Sequence, residues 1–321
     1  FTANIKFMNI PSSLYKYTTF DSATRIIQNQ SFRWSSILDF NDPFESRFHL
    51  DEKNENNAIR LMAIASSITC KLLTVNDTNT IYEQFKEKRP DKYQELVKAN
   101  NIINTYIKLF IKNKTVDNYL NIEKAIRRSM SISDIMEKTI YGYKGFIDAT
   151  HKIIKEKLGV LCLSKIPNNH LMWSHYAQNH TGIMFEIDIE KLKECTVIAN
   201  TLKKIKYTEQ FPEITFEIIK GMNEELFPEE AKKLFEALLL TKQEIWNYEN
   251  EYRSIIPIKN LAENGLFSLP KECFKSVTLG CAMQEQDRNK ILCMIHNHLP
   301  ETSIFENKIN KRNYSLDHLK V

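Results

Sequence analysis

Two hydrophobic rhythms divide this chain. Near its start, Leu14-Tyr15-Lys16-Tyr17 alternates with period two, which predicts a short strand. Thr18-Thr19-Phe20-Asp21 then offers caps for a helix over 22–28, with Ala23, Ile26 and Ile27 apolar on one side. Ser31-Phe32-Arg33-Trp34-Ser35 predicts a second strand. Asn41-Asp42-Pro43 is a turn, because the proline forces Asp42 out of the helical region. Phe40 and Phe44 are expected to anchor that turn to the core.

From about residue 51 to about 158, apolar residues recur at three and four instead: Ile59, Met62, Ala63; Ile102, Ile103, Tyr106, Ile107, Phe110; Ile122, Ala125, Ile126. This predicts a helical insertion, with turns at Lys112-Asn113-Lys114 and Ser131-Ile132-Ser133-Asp134. The run over 159–164 is continuously apolar and reads as a central strand. A short helix through Trp173-Ser174-His175-Tyr176 follows, then a strand over 183–188. Val197-Ile198 and Ile205-Lys206-Tyr207 suggest a hairpin, and 224–246 a long amphipathic helix. Strands over 251–257 and 277–280 precede a helix over about 284–298. Ile304-Phe305 and Tyr314-Ser315-Leu316 close the chain as extended segments or edge strands. The sum is a single α+β domain, residues 1–321, of small mixed or antiparallel sheets flanked by helices, with a large helical insertion over about 51–158.

Composition narrows this picture without redirecting it. At 42% apolar and 26% charged, the 321-residue chain is near globular averages, which excludes wholesale disorder. Seven glycines argue against a glycine-rich phosphate cradle. The net charge of +4 is mild, but 86–157 holds sixteen Lys/Arg against nine Asp/Glu. That excess predicts a solvated helical face and keeps nucleic acid open as a partner. Cys70, Cys162, Cys195, Cys273, Cys281 and Cys293 are scattered, as expected of reduced thiols in a cytoplasmic protein. No apolar run is long enough to span a bilayer, and no membrane partner is expected.

Two stretches mix aromatics with titratable groups, as the wall of a site does. In Trp246-Asn247-Tyr248-Glu249-Asn250-Glu251-Tyr252-Arg253, strand alternation would put Glu249, Glu251 and Arg253 on one face. Two carboxylates and a guanidinium there could hold a sugar or phosphate and supply a base. In Leu171-Met172-Trp173-Ser174-His175-Tyr176-Ala177, the adjacent Ser174 and His175 diverge and no G-x-S-x-G elbow accompanies them, so the support for a serine hydrolase is weak. His175 alone is a candidate acid or base. His170, His175 and His180 are spread around a helix axis by their spacing of five, so no metal site is expected from them, and His180 reads as structural. Asn41 and Asp42 in their turn, and Tyr15 and Tyr17 on the first strand, could line the same cleft. The spatial expectation is that Tyr17, Asp42, His175 and Glu251 share one concave pocket.

Taken in order, these motifs resemble the bacterial family known as domain of unknown function 2971. The resemblance is carried by Lys16-Tyr17, Phe40-Asn41-Asp42-Pro43-Phe44-Glu45, Leu163-Ser164, Met172-Trp173-Ser174-His175-Tyr176-Ala177, His180-x-Gly182, Trp246-x-Tyr248-Glu249-x-Glu251-x-Arg253 and Val277-x-Leu279-Gly280. It extends over nearly the whole chain and implies no activity. A looser resemblance is to ADP-ribosyltransferases, through the opening strand, helix and Trp34-Ser35-Ser36. It implies NAD as substrate, with Tyr15 or Tyr17, Trp34 and Ser35 in the binding cleft. Glu251 would hold the nicotinamide ribose as the C–N bond ionises. The first strand has no histidine and no Ser-Thr-Ser triplet is present, both departures from that family.

Three functional expectations follow. The first is an NAD-consuming transferase or glycohydrolase, an effector in toxin or phage-defence settings. Glu251 and His175 would be catalytic, and Trp173, Tyr176, Glu249 and Arg253 would bind substrate. The second is a nuclease or other nucleic-acid-processing protein, with Asp42, His175 and Glu251 converging on a metal. The third is a non-catalytic nucleotide-sensing module.

Overall fold

The structure is a computed structural model and describes residues 10–50, 86–87, 90, 93–129, 150–152, 154–195, 198–215, 218 and 228–321. Its strands are β1 (Ser13–Thr18), β2 (Ser31–Arg33), β3 (His49–Leu50), β4 (Leu158–Ser164), β5 (Ile183–Asp188), β6 (Leu202–Lys204) and β7 (Lys206–Thr208). There follow β8 (Glu213–Ile214), β9 (Thr241–Gln243), β10 (Glu251–Pro257), β11 (Leu266–Ser268), β12 (Phe274–Leu279), β13 (Ser303–Ile309) and β14 (Leu316–Lys320). The helices are α1 (Phe20–Asn29), α2 (Tyr93–Lys112), α3 (Val116–Ser129), α4 (His170–Tyr176), α5 (Ile189–Cys195), α6 (Pro228–Leu239) and α7 (Glu285–His298). The class is α+β. Two compact units are present: Phe1–Glu45 with Ile153–Gln210 and Leu240–Val321, and Ser46–Lys152 with Phe211–Leu239.

The first unit is built on an eight-stranded sheet in the order β14-β13-β12-β5-β1-β4-β10-β6. Its neighbours are antiparallel except β12 and β13, and α7 supplies the crossover that a parallel pair needs. Alternation assigns the faces. Leu14, Leu161, Leu163, Phe185, Tyr252 and Val277 point into one core, closed by Ala23 and Ile27 of α1 and Ile291 and Ile295 of α7. On the opposite face, Tyr17 and Met184 pack with Met172, Trp173 and Ala177 around α4. Thr19 caps α1 through its side chain, which accepts from the Ser22 amide, and Gln30 ends it in the left-handed region.

The second unit contains α2 and α3, which pack together through Ile103, Ile107, Phe110, Tyr119, Ile122 and Ile126. The Asn113 turn separates them, with Thr115 Oγ1 accepting from the Asn118 amide. The expected Ile59, Met62 and Ala63 stripe, the Ser131–Asp134 turn and Cys70 lie outside the described residues. No helix among the described residues is long and apolar enough to cross a membrane.

Four expectations are corrected. Phe44 does not anchor its turn, since 53% of it is exposed; the buried Asp42 and Glu45 do so. The strand over 31–35 stops at Arg33 and pairs with β11, while Ser35 makes only a bridge to Val160. Ile198 lies in a short helical turn, and β6 and β7 pair with β10 and β9 respectively, so there is no hairpin. The helix placed over 224–246 ends at Leu239. There the Leu240 carbonyl accepts from the Lys206 amide, drawing the chain into β9 beside β7.

Candidate functional site

The site forms where β10 begins. Glu244–Glu249 is a tight helical turn closed by Asn250 in the left-handed region (φ 43°), which folds Glu249 back toward Glu251. Glu251 and Arg253 then project from one face of β10, opposite Ser164 and Cys162 of β4. Glu249 therefore shares their face through the turn and not through strand alternation. Its carbonyl accepts from Ser164 Oγ at 2.6 Å, and the Tyr248 carbonyl accepts from Asn169 Nδ2 at 3.0 Å. Asn169 also caps α4, so the turn and α4 are positioned together.

Five charged side chains meet in this corner, all at most 7% exposed. Arg253 donates from Nε to Glu251 Oε1 at 2.7 Å and from Nη2 to Glu45 Oε1 at 2.6 Å and Glu251 Oε2 at 3.2 Å. Lys242 Nζ, from β9, donates to Glu249 Oε2 at 2.7 Å and Glu251 Oε2 at 3.3 Å. It also lies 3.6 Å from Glu45 Oε1 and over the Trp246 ring. Tyr176 donates to Glu249 Oε1 at 2.6 Å, and the Glu251 amide donates to the Tyr207 hydroxyl at 2.8 Å. Three carboxylates thus face two cations, and Glu45 Oε2 is buried without a hydrogen-bond partner among the described residues.

The electrostatics separate the two neighbouring glutamates. Burial raises the Glu251 pKa, but Arg253 and then Lys242 overcome it and hold it at about 2. For Glu249, burial dominates and, with the charge of Glu251, raises the pKa despite Lys242. Burial first, then Glu249, also pushes the Tyr176 phenol up. Glu251 is held in its ionised form, with its oxygens occupied by Arg253 and Lys242. Glu249, its pKa raised by burial and by the charge of Glu251, is the carboxyl of the pair that gives up its charge more readily.

Above the buried charges lies a partly exposed layer of rings. His175 is exposed and its Nδ1 is 2.8 Å from the Tyr248 hydroxyl. His175, Trp246 and Tyr248 have ring centroids 5.9 to 6.3 Å apart, and Tyr176 joins them from the α4 side. Residues 172–254 match the family described as "Protein of unknown function (DUF2971)". That matched segment holds α4 from Met172 onward, Lys242, the Trp246–Tyr248 turn and β10 as far as Ser254, but not Glu45; the resembling motifs at 16–17, 40–45, 163–164 and 277–280 fall outside it. No curated protein matches the chain, and no solved structure does. Nothing in these comparisons supports the resemblance to ADP-ribosyltransferases.

Of the residues expected at a site, the structure brings together Glu249, Glu251, Arg253, Tyr176 and His175, with exposed Asn41 bonded to the Tyr176 phenol. Tyr17 and Trp173 lie beneath as packed rings 5.3 Å apart. The Tyr17 hydroxyl donates to the Ile166 carbonyl, and burial keeps its pKa high. Asp42 is buried and accepts the Phe44 amide. Tyr15 is half-buried and senses Glu186 and Lys275. Trp34 packs in the opposite core and donates to Ser254 Oγ, and Ser35 serves only the backbone bridge. Among the described residues, the four expected to share a pocket do not line one open pocket: Tyr17, Asp42 and Glu251 are each at most 5% exposed, and of the four only His175 is exposed. Nor do Asp42, His175 and Glu251 converge, and no three such side chains among the described residues could hold a metal ion. A groove of about 690 Å³ lies elsewhere, lined by Lys191, Lys271, Phe274 and Lys275. Lys242 and Glu45 were missing from the expected site. Lys242 was hidden inside the expected long helix, whereas Glu45 ends the Phe40–Glu45 motif and could have been found there.

Proposed function

We propose that the chain is an enzyme acting on a nucleotide, by glycosyl (ADP-ribosyl) transfer or by NAD hydrolysis. The carboxyl at work is Glu249 instead of Glu251. One observation carries this reading: a buried carboxyl with a raised pKa is joined by Tyr176 to the foot of an open layer of rings. A nucleobase or nicotinamide ring stacks on Trp246 and Tyr248, as planar bases do on aromatic side chains. His175, oriented by Tyr248, lines the open side of the ring layer, while Glu249 in its ionised form stabilises positive charge as a glycosidic bond ionises. The test is incubation with NAD, with nicotinamide and ADP-ribose followed by mass spectrometry. Turnover that disappears in Glu249→Gln and persists in Tyr15→Phe supports the proposal. Neither binding nor turnover of NAD, or full turnover in Glu249→Gln, rejects it.

A second reading has its own support. Lys108, Lys112, Lys114, Lys124, Arg127 and Arg128 are exposed on or just after α2 and on α3, which suits a nucleic-acid backbone. Binding of single-stranded RNA that weakens steeply with salt is expected; no binding at low salt removes this reading.

A further inference from the structure

The loop after α4 carries three successive residues in the left-handed region, Gln178, Asn179 and His180 (φ 50°, 53° and 67°). None is glycine, and each such residue costs about 1 kcal/mol or more unless its surroundings enforce it. The enforcement is visible. The His180 amide donates to the Trp173 carbonyl at 3.2 Å, and the His180 carbonyl accepts from the Ala282 amide at 3.0 Å. The Gly280 amide donates to the Gly182 carbonyl at 3.0 Å, and a Cβ on Gly280 would fall 2.1 Å from the His180 carbonyl oxygen. Two loops distant in sequence are thereby clamped backbone to backbone.

The clamp places the His180 ring between two other reactive side chains. Its Nε2 is 3.2 Å from Ser174 Oγ, and its Nδ1 is 3.8 Å from Cys281 Sγ. The Trp173 indole lies nearly parallel to the ring (14°), and its buried Nε1 has no hydrogen-bond partner among the described residues. Ser174, His180 and Cys281 are each partly open to solvent. We propose that these three side chains form a second reactive site, with Cys281 as a thiol nucleophile for activated acyl groups, His180 as its base and Ser174 as the positioning residue.

The tautomer fits this role. With the proton on Nε2 donated to Ser174 Oγ, Nδ1 is left to accept from the thiol. Burial, then the nearby charge of His170, pushes the His180 pKa down, and burial pushes the Cys281 thiol up. The resting pair is a neutral imidazole and a protonated thiol, so the proton moves as the bond forms. Cys281 Sγ bonds to the acyl carbon, its proton passes to His180 Nδ1, and the acyl–oxygen bond breaks with the electron pair leaving on oxygen. In the second step His180, its first proton lost to solvent or the departing oxygen, takes a proton from the water attacking the thioester; the C–S bond breaks, a carboxylic acid departs, and the sulfur regains that proton from His180.

The probe is p-nitrophenyl acetate with the full chain. We expect a burst of one p-nitrophenolate per chain, with a hydroxylamine-labile acetyl mapped to Cys281 and absent in Cys281→Ala. His180→Asn keeps a residue that tolerates left-handed backbone but removes the base; it slows the burst about a hundredfold with little change in melting temperature. Ser174→Ala removes an acceptor from the imidazole and moves the acid limb of the burst's pH profile to lower pH. The ring to watch as an alternative source of that limb is His170, 6.3 Å away; His170→Gln should leave the burst in place. No acetylation of Cys281, acetylation of exposed Cys293 at the same rate, or an undiminished burst in His180→Asn overturns the proposal. The burst survives Glu249→Gln, so this site and the nucleotide reading can fail separately.

Discussion

Replacing Arg253 by Met is the most direct test of what holds the buried charge corner together. Arg253 has no solvent exposure and carries hydrogen bonds to both Glu45 and Glu251. The methionine would leave Glu45, Glu249 and Glu251 facing Lys242 alone, in a place water does not reach. Stranding a buried partner in this way costs about 3–5 kcal/mol, a large fraction of a domain's stability. At about 2–4 °C per kcal/mol, the melting temperature should fall by about 10 °C at pH 7. Adding Glu251→Gln to Arg253→Met removes one stranded charge and should recover a substantial part of the loss. Scanning calorimetry of the wild type, both single variants and the double variant measures this. If Arg253→Met melts within about 2 °C of the wild type, or the double variant is no better, the corner is not an ion network in which each charge needs its partner.

The same corner sets a pH dependence whose sign is fixed by direction. The Glu251 pKa is held at about 2, so its contribution is complete above the ordinary carboxylate range and lost as pH falls through 2. From 4.5 to about 2, that shift corresponds to about 3 kcal/mol. Glu249 has the opposite sign: its pKa is raised, so its contribution is complete below the ordinary range and lost as pH rises through the raised value. The corner's joint contribution therefore peaks in mildly acidic solution. In Arg253→Met the Glu251 part disappears, and the gap in melting temperature to the wild type should shrink steadily between pH 5 and pH 2. A gap constant over that range would contradict the assignment.

Three further outcomes follow. Tyr176→Phe removes the donor to Glu249 Oε1 and should cost about 2 kcal/mol in urea unfolding, with Glu249 titrating at still higher pH. Trp246→Ala removes the ring beneath the proposed base and should weaken nucleotide binding about tenfold in calorimetric titration. Gly182→Ala would put a Cβ 2.2 Å from the Thr18 carbonyl oxygen, so about 3 kcal/mol of stability should be lost, seen as a lower melting temperature.

What the chain revealed before folding, and what it hid, follows from where each signal is stored. Leu14, Tyr15 and Tyr17 announce both faces of β1 because alternation is local, and the same holds for Glu251 and Arg253 on β10. Lys242 was invisible for the opposite reason. Thr241-Lys242-Gln243 continues an amphipathic pattern with no Gly or Pro to stop it, and the helix ends only because β7, more than thirty residues earlier, takes up the Leu240 carbonyl and pairs with β9. His180 is a harder case. Asn179 and His180 are types that tolerate the left-handed region, but they do not announce three such residues in a row, and glycine, the usual sign, stands instead at 182 and 280, where another backbone must approach. Those two glycines state the need for a close crossing but do not say what is crossed. An imidazole read as a structural filler thus becomes the link between a hydroxyl six residues earlier and a thiol about a hundred residues later.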